Sequence, residues 1–144
     1  MLDVVNVTKH RIALTRLICS SHRLCIETGR WARPVVPRNE RKCNVCNKLS
    51  DEYHFLLECV KFNENRKKFI KQYYWRNPSM LKCINLVTTK NSKELRNLAK
   101  YVYQCFSNMN WYFLNLVNEI VKFYWCFRCQ WNCSYYILHP CNIL

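Results

Sequence analysis

Chain breakers are scarce in this sequence. Its 144 residues include a single Gly, Gly29, and only four Pro. Sandwiches and barrels use such residues at many tight connections, so their scarcity argues against both architectures and favours helices joined by short segments. Half of the residues, 50%, are hydrophobic, which is enough to form the core of one domain. We therefore predict a mainly α fold in the form of a small helical domain.

Acidic residues are also few. Nine Asp and Glu stand against 23 Lys and Arg, and the only aspartates are Asp3 and Asp51. Polymerases and nucleases of the two-metal type need several carboxylates that converge on their ions. The single Gly also argues against a glycine-rich phosphate loop. Glu52 and Glu58 flank residues of a Cys/His motif and are expected to support it. We therefore expect a protein that is not an enzyme and has no catalytic residues.

The N-terminal residues, MLDVVNVTKHRIALTR, predict no secretory leader, because they contain neither an apolar run nor a small-residue cleavage site. Eleven cysteines would suit a secreted disulfide scaffold. In a reducing compartment, however, clustered cysteines are more typical of metal sites than of disulfides. We expect an intracellular protein, in the cytoplasm or the nucleus.

Four residues follow the order C-x2-C-x7-H-x4-C, namely Cys43, Cys46, His54 and Cys59. Zn²⁺ prefers a tetrahedron of soft or borderline ligands, and Cys and His alone commonly close a structural site. The short gap lets Cys43 and Cys46 bind from one tight turn, while His54 and Cys59 return from a helix or its end. We predict that these four residues hold Zn²⁺ as the cofactor. The alternative is that they are buried thiols in a Cys-rich chain.

Apolar spacing in the first half of the chain predicts two helices and an irregular connection. The first helix is capped by Thr8 and presents an apolar face formed by Ile12, Leu14, Leu17 and Ile18. Gly29, Pro34 and Pro37 favour an extended connection after it. Ser50 is expected to cap the second helix, which carries the histidine of the motif.

Three further helices are predicted after the motif. The first is amphipathic, and the residues expected on its inner face are Phe62, Arg66, Phe69, Ile70 and Tyr73. The second is capped by Asn77, with Pro78 at its first position, and its core residues are Leu81, Ile84 and Leu86. The third begins at Asn91, which forms a capping box with Glu94. Its buried residues are expected to be Leu95, Leu98, Val102 and Phe106.

The net charge is +14, and it is unevenly distributed. Lys and Arg are concentrated on both sides of the motif, in residues 1–42 and 60–100, whereas residues 43–59 are mildly acidic. Such an excess attracts polyanions, and nucleic acid is the commonest of these in cells. The candidate phosphate contacts to RNA or DNA are Arg11, Arg16, Arg23, Arg30, Arg33, Lys67, Lys68 and Lys71. The alternative is an ordinary solvated surface.

Two aromatic residues, Trp31 and Tyr74, are candidates for stacking on nucleic-acid bases. Packing in the core is the alternative for each aromatic side chain, and we expect it for Tyr73. His22 is expected to cap a helix or to form a hydrogen bond, because the motif already supplies four metal ligands.

The end of the chain differs from the rest. We assign residues 8–107 to the helical domain and residues 108–144 to a tail without an assigned structure. One alternative for the tail is a membrane-spanning helix over WYFLNLVNEIVKFYWCF, which is opposed by Asn115, Asn118, Glu119 and Lys122. Another is a second zinc site built from Cys126, Cys129, Cys133 and either His139 or Cys141. Scattered thiols are favoured over that site, and no membrane partner is expected.

The run from Leu14 to Ile70 contains an ordered set of residues, namely Leu14, Arg16, Leu17, Ser21, His22, Cys43, Cys46, Glu52, His54, Cys59 and Arg66. This order resembles the zinc-binding C-terminal segment of reverse transcriptases from non-LTR (LINE-type) retrotransposons. The likeness covers about residues 10 to 107 and does not include the tail. It departs from the family at Cys19 and Cys25, where polar or charged residues are usual.

This resemblance implies a function. It implies a zinc-stabilised, non-catalytic fragment of a retroelement polyprotein that holds RNA or target DNA beside the polymerase. The remainder of the reverse transcriptase polyprotein is then an expected partner. A zinc-organised protein-docking module and a non-functional retroelement remnant are the two alternatives.

Overall fold

The structure, a computed structural model, describes residues 4–109. Its helical elements are α1 (Thr8–Ile18), α2 (Cys25–Trp31), a 3₁₀ turn (Arg38–Glu40), a π-helical turn (His54–Glu58), a second 3₁₀ turn (Val60–Phe62), α3 (Asn63–Phe69), α4 (Gln72–Trp75), α5 (Met80–Val87) and α6 (residues 92–109). β-Type pairing within the described residues is limited to one antiparallel bridge between Lys42 and Leu49. The mainly α fold is therefore confirmed. Of the described residues, 4–108 belong to one compact unit.

α1 begins near the predicted residue but packs through a narrower face. Val7 occupies the N-cap position without a side-chain hydrogen bond, so Thr8 is the first helical residue and not the cap. The buried residues of α1 are Ala13, Leu14 and Leu17. Ile12 and Ile18 are 47% and 44% exposed, contrary to prediction. They lie outside the narrow stripe that the three buried residues form on the helix surface.

The extended connection predicted after α1 is wrong, because this segment contains α2. Ser50 contacts the start of α2, where its Oγ accepts a hydrogen bond from the Cys25 backbone N–H at 3.4 Å. Gly29 lies inside the helix and is buried. A Cβ at this position would come within 2.8 Å of the Arg41 side chain. The only glycine of the chain therefore permits close packing and does not end the helix.

The single amphipathic helix predicted over residues 62–73 is also wrong. Ile70 and Lys71, between α3 and α4, have extended backbone angles, with ψ of 130° and 138°. This interruption changes which side chains of the following residues meet the core. Tyr74 is consequently buried at 8% exposure, whereas Tyr73, which was expected in the core, is 62% exposed.

The start and the buried face of α5 both differ from prediction. Ser79 and not Asn77 is the cap, because its Oγ accepts a hydrogen bond from the Lys82 backbone N–H at 3.3 Å. Leu81 and Ile84 are 68% and 49% exposed. The residues that α5 buries are Cys83 and Leu86. Because Cys83 and Leu86 are three residues apart, they lie on one face of the helix. The predicted residues Leu81, Ile84 and Leu86 do not all lie on one face.

α6 begins as predicted. Asn91 Oδ1 accepts hydrogen bonds from the backbone N–H groups of Lys93 and Glu94 at 3.0 and 3.2 Å. The Glu94 carboxylate, predicted to return to the cap, instead accepts hydrogen bonds from Tyr74 and Lys71 and so joins α6 to α4. The predicted core residues Leu95, Leu98 and Val102 are buried, and Phe106 is half-buried.

Phe55, in the π-helical turn, lies at the centre of the core. Its ring lies 5.0, 5.5 and 5.3 Å from those of Phe62, Tyr101 and Phe106. Full burial of a side chain of this size contributes roughly 1.5–3 kcal/mol. Because Tyr101 and Phe106 belong to α6, this cluster fixes the π-helical turn against that helix.

Candidate metal centre

Cys43 and Cys46 lie in a short hairpin over residues 41–50. The Cys43 N–H donates to the Lys48 carbonyl at 2.7 Å, and the Asn47 N–H donates to the Cys43 carbonyl at 2.9 Å. Asn47 has a φ of 54°, a left-handed conformation that Asn adopts more readily than most residues. The tight turn brings the Sγ atoms of the two cysteines within 4.8 Å of each other.

His54 and Cys59 stand at the start of the π-helical turn and just after its end. In an α-helix, residues five apart are separated by about 140° around the axis, so they could not face one ion. Here the Cys59 N–H donates to the His54 carbonyl at 2.7 Å, which is the wider π-helical pattern. Asp51 Oδ1 accepts a hydrogen bond from the His54 N–H at 2.8 Å. Asp51 thus has the capping role that was predicted for Ser50.

The structure brings the four predicted ligands together. Their ligand atoms all lie within 4.8 Å of one another, and Cys59 Sγ is 3.8 Å from the Sγ atoms of both Cys43 and Cys46. A tetrahedron with Zn–S bonds near 2.3 Å has sulfur–sulfur edges of about 3.8 Å. His54 Nε2 is buried and has no hydrogen-bond partner within residues 4–109, which is costly for a polar atom unless it binds something. The cluster could therefore hold a metal ion.

Glu58 contacts the other side of the His54 ring. Its Oε2 lies 3.5 Å from His54 Nδ1 and 3.1 Å from Lys48 Nζ. Burial opposes ionisation of Glu58, but the hydrogen bonds from Lys48 and His54 outweigh it and lower the pKa. A histidine that binds a metal commonly donates its second ring N–H to a carboxylate. Glu58 is placed to accept such a bond, which leaves Nε2 for the ion.

The thiols of Cys43 and Cys59 have opposite pKa shifts. Burial opposes ionisation of Cys43, but hydrogen bonds from the backbone N–H groups of Val45 and Cys46 outweigh it and lower the pKa to about 7. Burial raises the pKa of Cys59 to about 12. Thiolates are the species that bind metals, so occupation of the site requires Cys59 to release a proton.

A second polar cluster joins the segment between α1 and α2 to the residues before the π-helical turn. His22 is buried, and its Nε2 lies 2.8 Å from Glu52 Oε1. Ser20 Oγ donates to the same carboxylate oxygen at 3.2 Å. The hydrogen bond from His22 is the main cause that lowers the pKa of Glu52 to about 2. His22 is thus a hydrogen-bonded residue outside the metal cluster, and Glu52 supports the chain that leads to His54.

The candidate phosphate contacts lie in three parts of the domain, in α1, around α2, and in and after α3. The exposed ones are Arg16, Arg23, Arg30, Arg33, Lys67, Lys68 and Lys71, and Arg11 is half-buried. Ion pairs join Arg30 to Glu27 at 3.4 Å, Lys67 to Glu64 at 2.9 Å, and Lys71 to Glu94. These pairs reduce the charge that the three side chains present to a ligand.

The two stacking candidates differ in exposure. Trp31, at the end of α2, is 73% exposed. Tyr74 is buried, and its hydroxyl donates to Glu94 Oε2 at 2.9 Å. Burial and this hydrogen bond together raise the pKa of Tyr74 to about 12. Tyr74 is therefore not placed to stack on a base, and Trp31 is the accessible candidate.

Comparisons with known proteins do not assign the chain to a family. No protein-family model, curated protein or solved structure matches it. The resemblance to retrotransposon reverse transcriptases rests on the residues given above and stays a prediction.

The interpretations of the tail lie outside the described residues. They are the proposed membrane helix, the second zinc site at Cys126, Cys129, Cys133 and His139 or Cys141, and the tail assignment itself beyond residue 109. Among the helices of residues 4–109, none has the length and apolar character needed to cross a membrane.

Proposed function

We propose that Cys43, Cys46, His54 and Cys59 bind one Zn²⁺ as a structural centre. The observation that carries this proposal is the convergence of three sulfur atoms and one buried histidine nitrogen, which has no hydrogen-bond partner among residues 4–109. Bound zinc would supply a covalent-like crosslink between the hairpin and the π-helical turn. Four protein ligands leave no open position for a substrate, so the centre stabilises the fold and does not catalyse a reaction.

The nearby acids support a non-catalytic role. Asp51 caps the segment of His54, Glu52 binds His22, and Glu58 lies against the His54 ring and Lys48. Each carboxylate is therefore engaged in holding the fold. Two-metal catalysis requires carboxylates that converge on a shared pair of ions.

The domain is proposed to bind nucleic acid as part of a retroelement reverse transcriptase polyprotein. Its support is the net charge of +14 and the exposure of seven of the eight candidate cations. Contacts of Lys and Arg to phosphates position a nucleic acid without reading its sequence. The order of residues shared with LINE-type reverse transcriptases favours RNA or target DNA as the ligand.

Trp31 adds a contact to bases in this proposal. It is 73% exposed, and Arg30 and Arg33 are its close neighbours in the sequence. Stacking of a base on an aromatic side chain contributes roughly 1–3 kcal/mol and tolerates any sequence. A single strand, whose bases are accessible, is therefore the preferred ligand.

A binding titration combined with metal analysis tests both parts. The full chain should carry about one zinc ion, and its log affinity for a single-stranded oligonucleotide should fall with log salt by about 0.7 for each phosphate neutralised. An abasic oligonucleotide of the same length keeps the phosphates and should bind more weakly, with an unchanged salt slope. Replacement of Trp31 by Leu should remove this difference between the two ligands. Affinity that is indifferent to salt would contradict nucleic-acid binding.

A docking module is the second candidate function, and exposed apolar residues favour it. Met80, Leu81 and Ile84 on α5 are 60%, 68% and 49% exposed, and Tyr73 lies close to α5 through the contact of its ring with Lys82. Exposed apolar patches commonly mark protein interfaces. Leu81→Ser should leave the salt slope unchanged if the ligand is nucleic acid, and should abolish binding of a protein partner that uses this face.

A further inference from the structure

Arg66 donates hydrogen bonds to three backbone carbonyls in and just after the π-helical turn. Arg66 lies in α3 and is only 2% exposed. Its Nε donates to the Leu56 carbonyl at 2.8 Å, and its Nη2 donates to the carbonyls of Phe55 and Cys59 at 3.4 and 2.8 Å. Burial of a cation is costly unless its donors are satisfied. Here two of the three guanidinium nitrogens donate to the backbone of the segment that carries two predicted metal ligands.

One of these carbonyls belongs to a metal ligand itself. The Cys59 N–H donates to the His54 carbonyl at 2.7 Å. The Cys59 carbonyl accepts from Arg66 Nη2 at 2.8 Å and, at the longer distance of 3.3 Å, from the Phe62 N–H. Both polar groups of the Cys59 backbone are thus held, although the residue lies beyond the helix with a ψ of 121°. Its Sγ lies 3.8 Å from the other two sulfur atoms of the cluster. A change of the backbone angles at Cys59 would move this sulfur away from both.

The geometry points to Arg66 as a positioning residue of the metal centre, an inference that rests on the proposed zinc site. The planar guanidinium of Arg66 donates to three carbonyls from one buried position. These hydrogen bonds fix the orientation of Cys59 before the ion binds. Lysine has the same charge but concentrates its donors at one point, so it could not reproduce this arrangement. Residues that orient ligands without touching the metal typically change metal affinity by about 10- to 100-fold.

Tyr101 provides a matched control. Its side chain is fully buried, and its hydroxyl donates to the Phe55 carbonyl at 2.8 Å. Tyr101→Phe therefore removes a buried hydrogen bond to the same π-helical turn and leaves the backbone of Cys59 bonded. A role of Arg66 that is only structural predicts similar losses of metal affinity in Arg66→Lys and Tyr101→Phe.

The experiment uses the full chain with zinc and cobalt as probes. Zinc affinity is measured by competition with a chromophoric chelator, and the absorption of the protein saturated with Co²⁺ reports ligand geometry through its sulfur-to-metal and d–d bands. We expect Arg66→Lys to bind zinc about 10- to 100-fold more weakly and to show altered d–d bands. Tyr101→Phe should keep the wild-type cobalt spectrum and bind zinc within about threefold of wild type.

The outcomes separate the inference from the proposal on which it rests. If the wild-type chain takes up no zinc, the proposed metal centre fails. If it binds zinc and Arg66→Lys matches Tyr101→Phe in both affinity and spectrum, the positioning role of Arg66 is overturned. Arg66→Gln, whose side chain is shorter and uncharged, should bind zinc more weakly than Arg66→Lys. Equal zinc affinities of Arg66→Lys, Arg66→Gln and Tyr101→Phe would also overturn the positioning role of Arg66.

Discussion

The candidate metal centre and the basic surface of this domain differ in how their side chains are held. The candidate ligand atoms converge within 4.8 Å, and backbone hydrogen bonds hold the hairpin and the π-helical turn that carry them. The candidate phosphate contacts are mostly exposed and are spread over separate helices. Convergence demands a particular backbone, whereas a basic surface demands only that cations face the solvent.

The difference extends to the acids near each region. In the candidate metal centre, Glu58 Oε2 lies 3.5 Å from Nδ1 of the His54 ring. On the surface, Glu64 and Glu94 pair with Lys67 and Lys71 and compete with any phosphate for them. The acidic residues thus organise the first region and weaken the second.

Cys59→Ser should have the largest effect, because its sulfur is within 3.8 Å of both other sulfur atoms of the cluster. We expect loss of the metal and of cooperative unfolding, since structural zinc supplies folding free energy of about 10 kcal/mol or more. Metal analysis and thermal unfolding followed by circular dichroism measure both losses. Cys83→Ser is the matched control, because Cys83 is buried in α5 outside the cluster. Full zinc content in the Cys59→Ser protein would rule out the assignment.

Replacement of Lys67 and Lys68 by Ala tests the surface in isolation. The log–log salt slope for a single strand should flatten by at most about 1.4, which is two phosphates, while zinc content stays unchanged. Glu64→Gln frees Lys67 from its ion pair and should steepen the slope by at most about 0.7. If the double substitution leaves the slope as it was, α3 does not contact the nucleic acid.

The clustering of the four Cys and His residues and the helical class could be predicted from the sequence because both depend on local chemistry. The four residues lie within residues 43–59, so their spacing restricts the fold directly. The cap at Asn91 was predicted for the same reason, since its acceptor reaches N–H groups only two and three residues later.

The rest could not be predicted because it depends on contacts between distant residues. α2 was not predicted because Gly29 suggested a break in the chain. Gly29 lies inside the helix, where it makes room for the side chain of Arg41. Tyr74 is buried in place of Tyr73 because Ile70 and Lys71 have extended backbone angles, which no spacing rule indicates. The π-helical turn did leave a signal, because ligands five residues apart cannot share one face of a regular α-helix.

Gly29→Ala tests whether α2 and the candidate metal centre respond independently to a substitution. The new Cβ would lie 2.8 Å from Cγ of Arg41, and the Arg41 head is fixed by hydrogen bonds to the carbonyls of Val36 and Ile26 at 2.9 and 3.0 Å. Overpacking costs about 1–3 kcal/mol, while Ala in a helix gains about 1 kcal/mol over Gly. We expect a net destabilisation of about 1 kcal/mol in chemical denaturation.

Arg41 also belongs to the hairpin of the candidate metal centre, and its carbonyl accepts a hydrogen bond from the Ser50 N–H at 2.9 Å. If the regions are coupled, Gly29→Ala should also speed the transfer of zinc to a chelator. An unchanged transfer rate together with the lower stability would show that α2 and the metal centre respond separately.

Glu94→Gln tests whether a surface ion pair has a structural role. The hydrogen bond from Lys71 is the main cause that lowers the pKa of Glu94, with a further contribution from Tyr74. A carboxyl whose pKa is lower in the folded state contributes stability above its unfolded pKa, and this stability is lost as pH falls through the folded value. The substitution should therefore cost about 1 kcal/mol at pH 7 and progressively less in more acidic buffer. A cost that does not change with pH would assign the effect to packing.

Substitutions of Asn47 should have the most local effect. Its φ of 54° is in the left-handed region, which costs an ordinary residue roughly 1–2 kcal/mol. Asn47→Ala should therefore destabilise the zinc-loaded protein by about 1 kcal/mol. In Asn47→Gly, relief of this strain is offset by the greater entropy of Gly in the unfolded chain, so stability should stay within about 0.5 kcal/mol of wild type. Urea denaturation measures the difference in stability between the two variants. The salt slope of nucleic-acid binding should be the same in both, because the hairpin supplies none of the candidate phosphate contacts. Equal stability of the two variants would show that the conformation of Asn47 does not limit the hairpin.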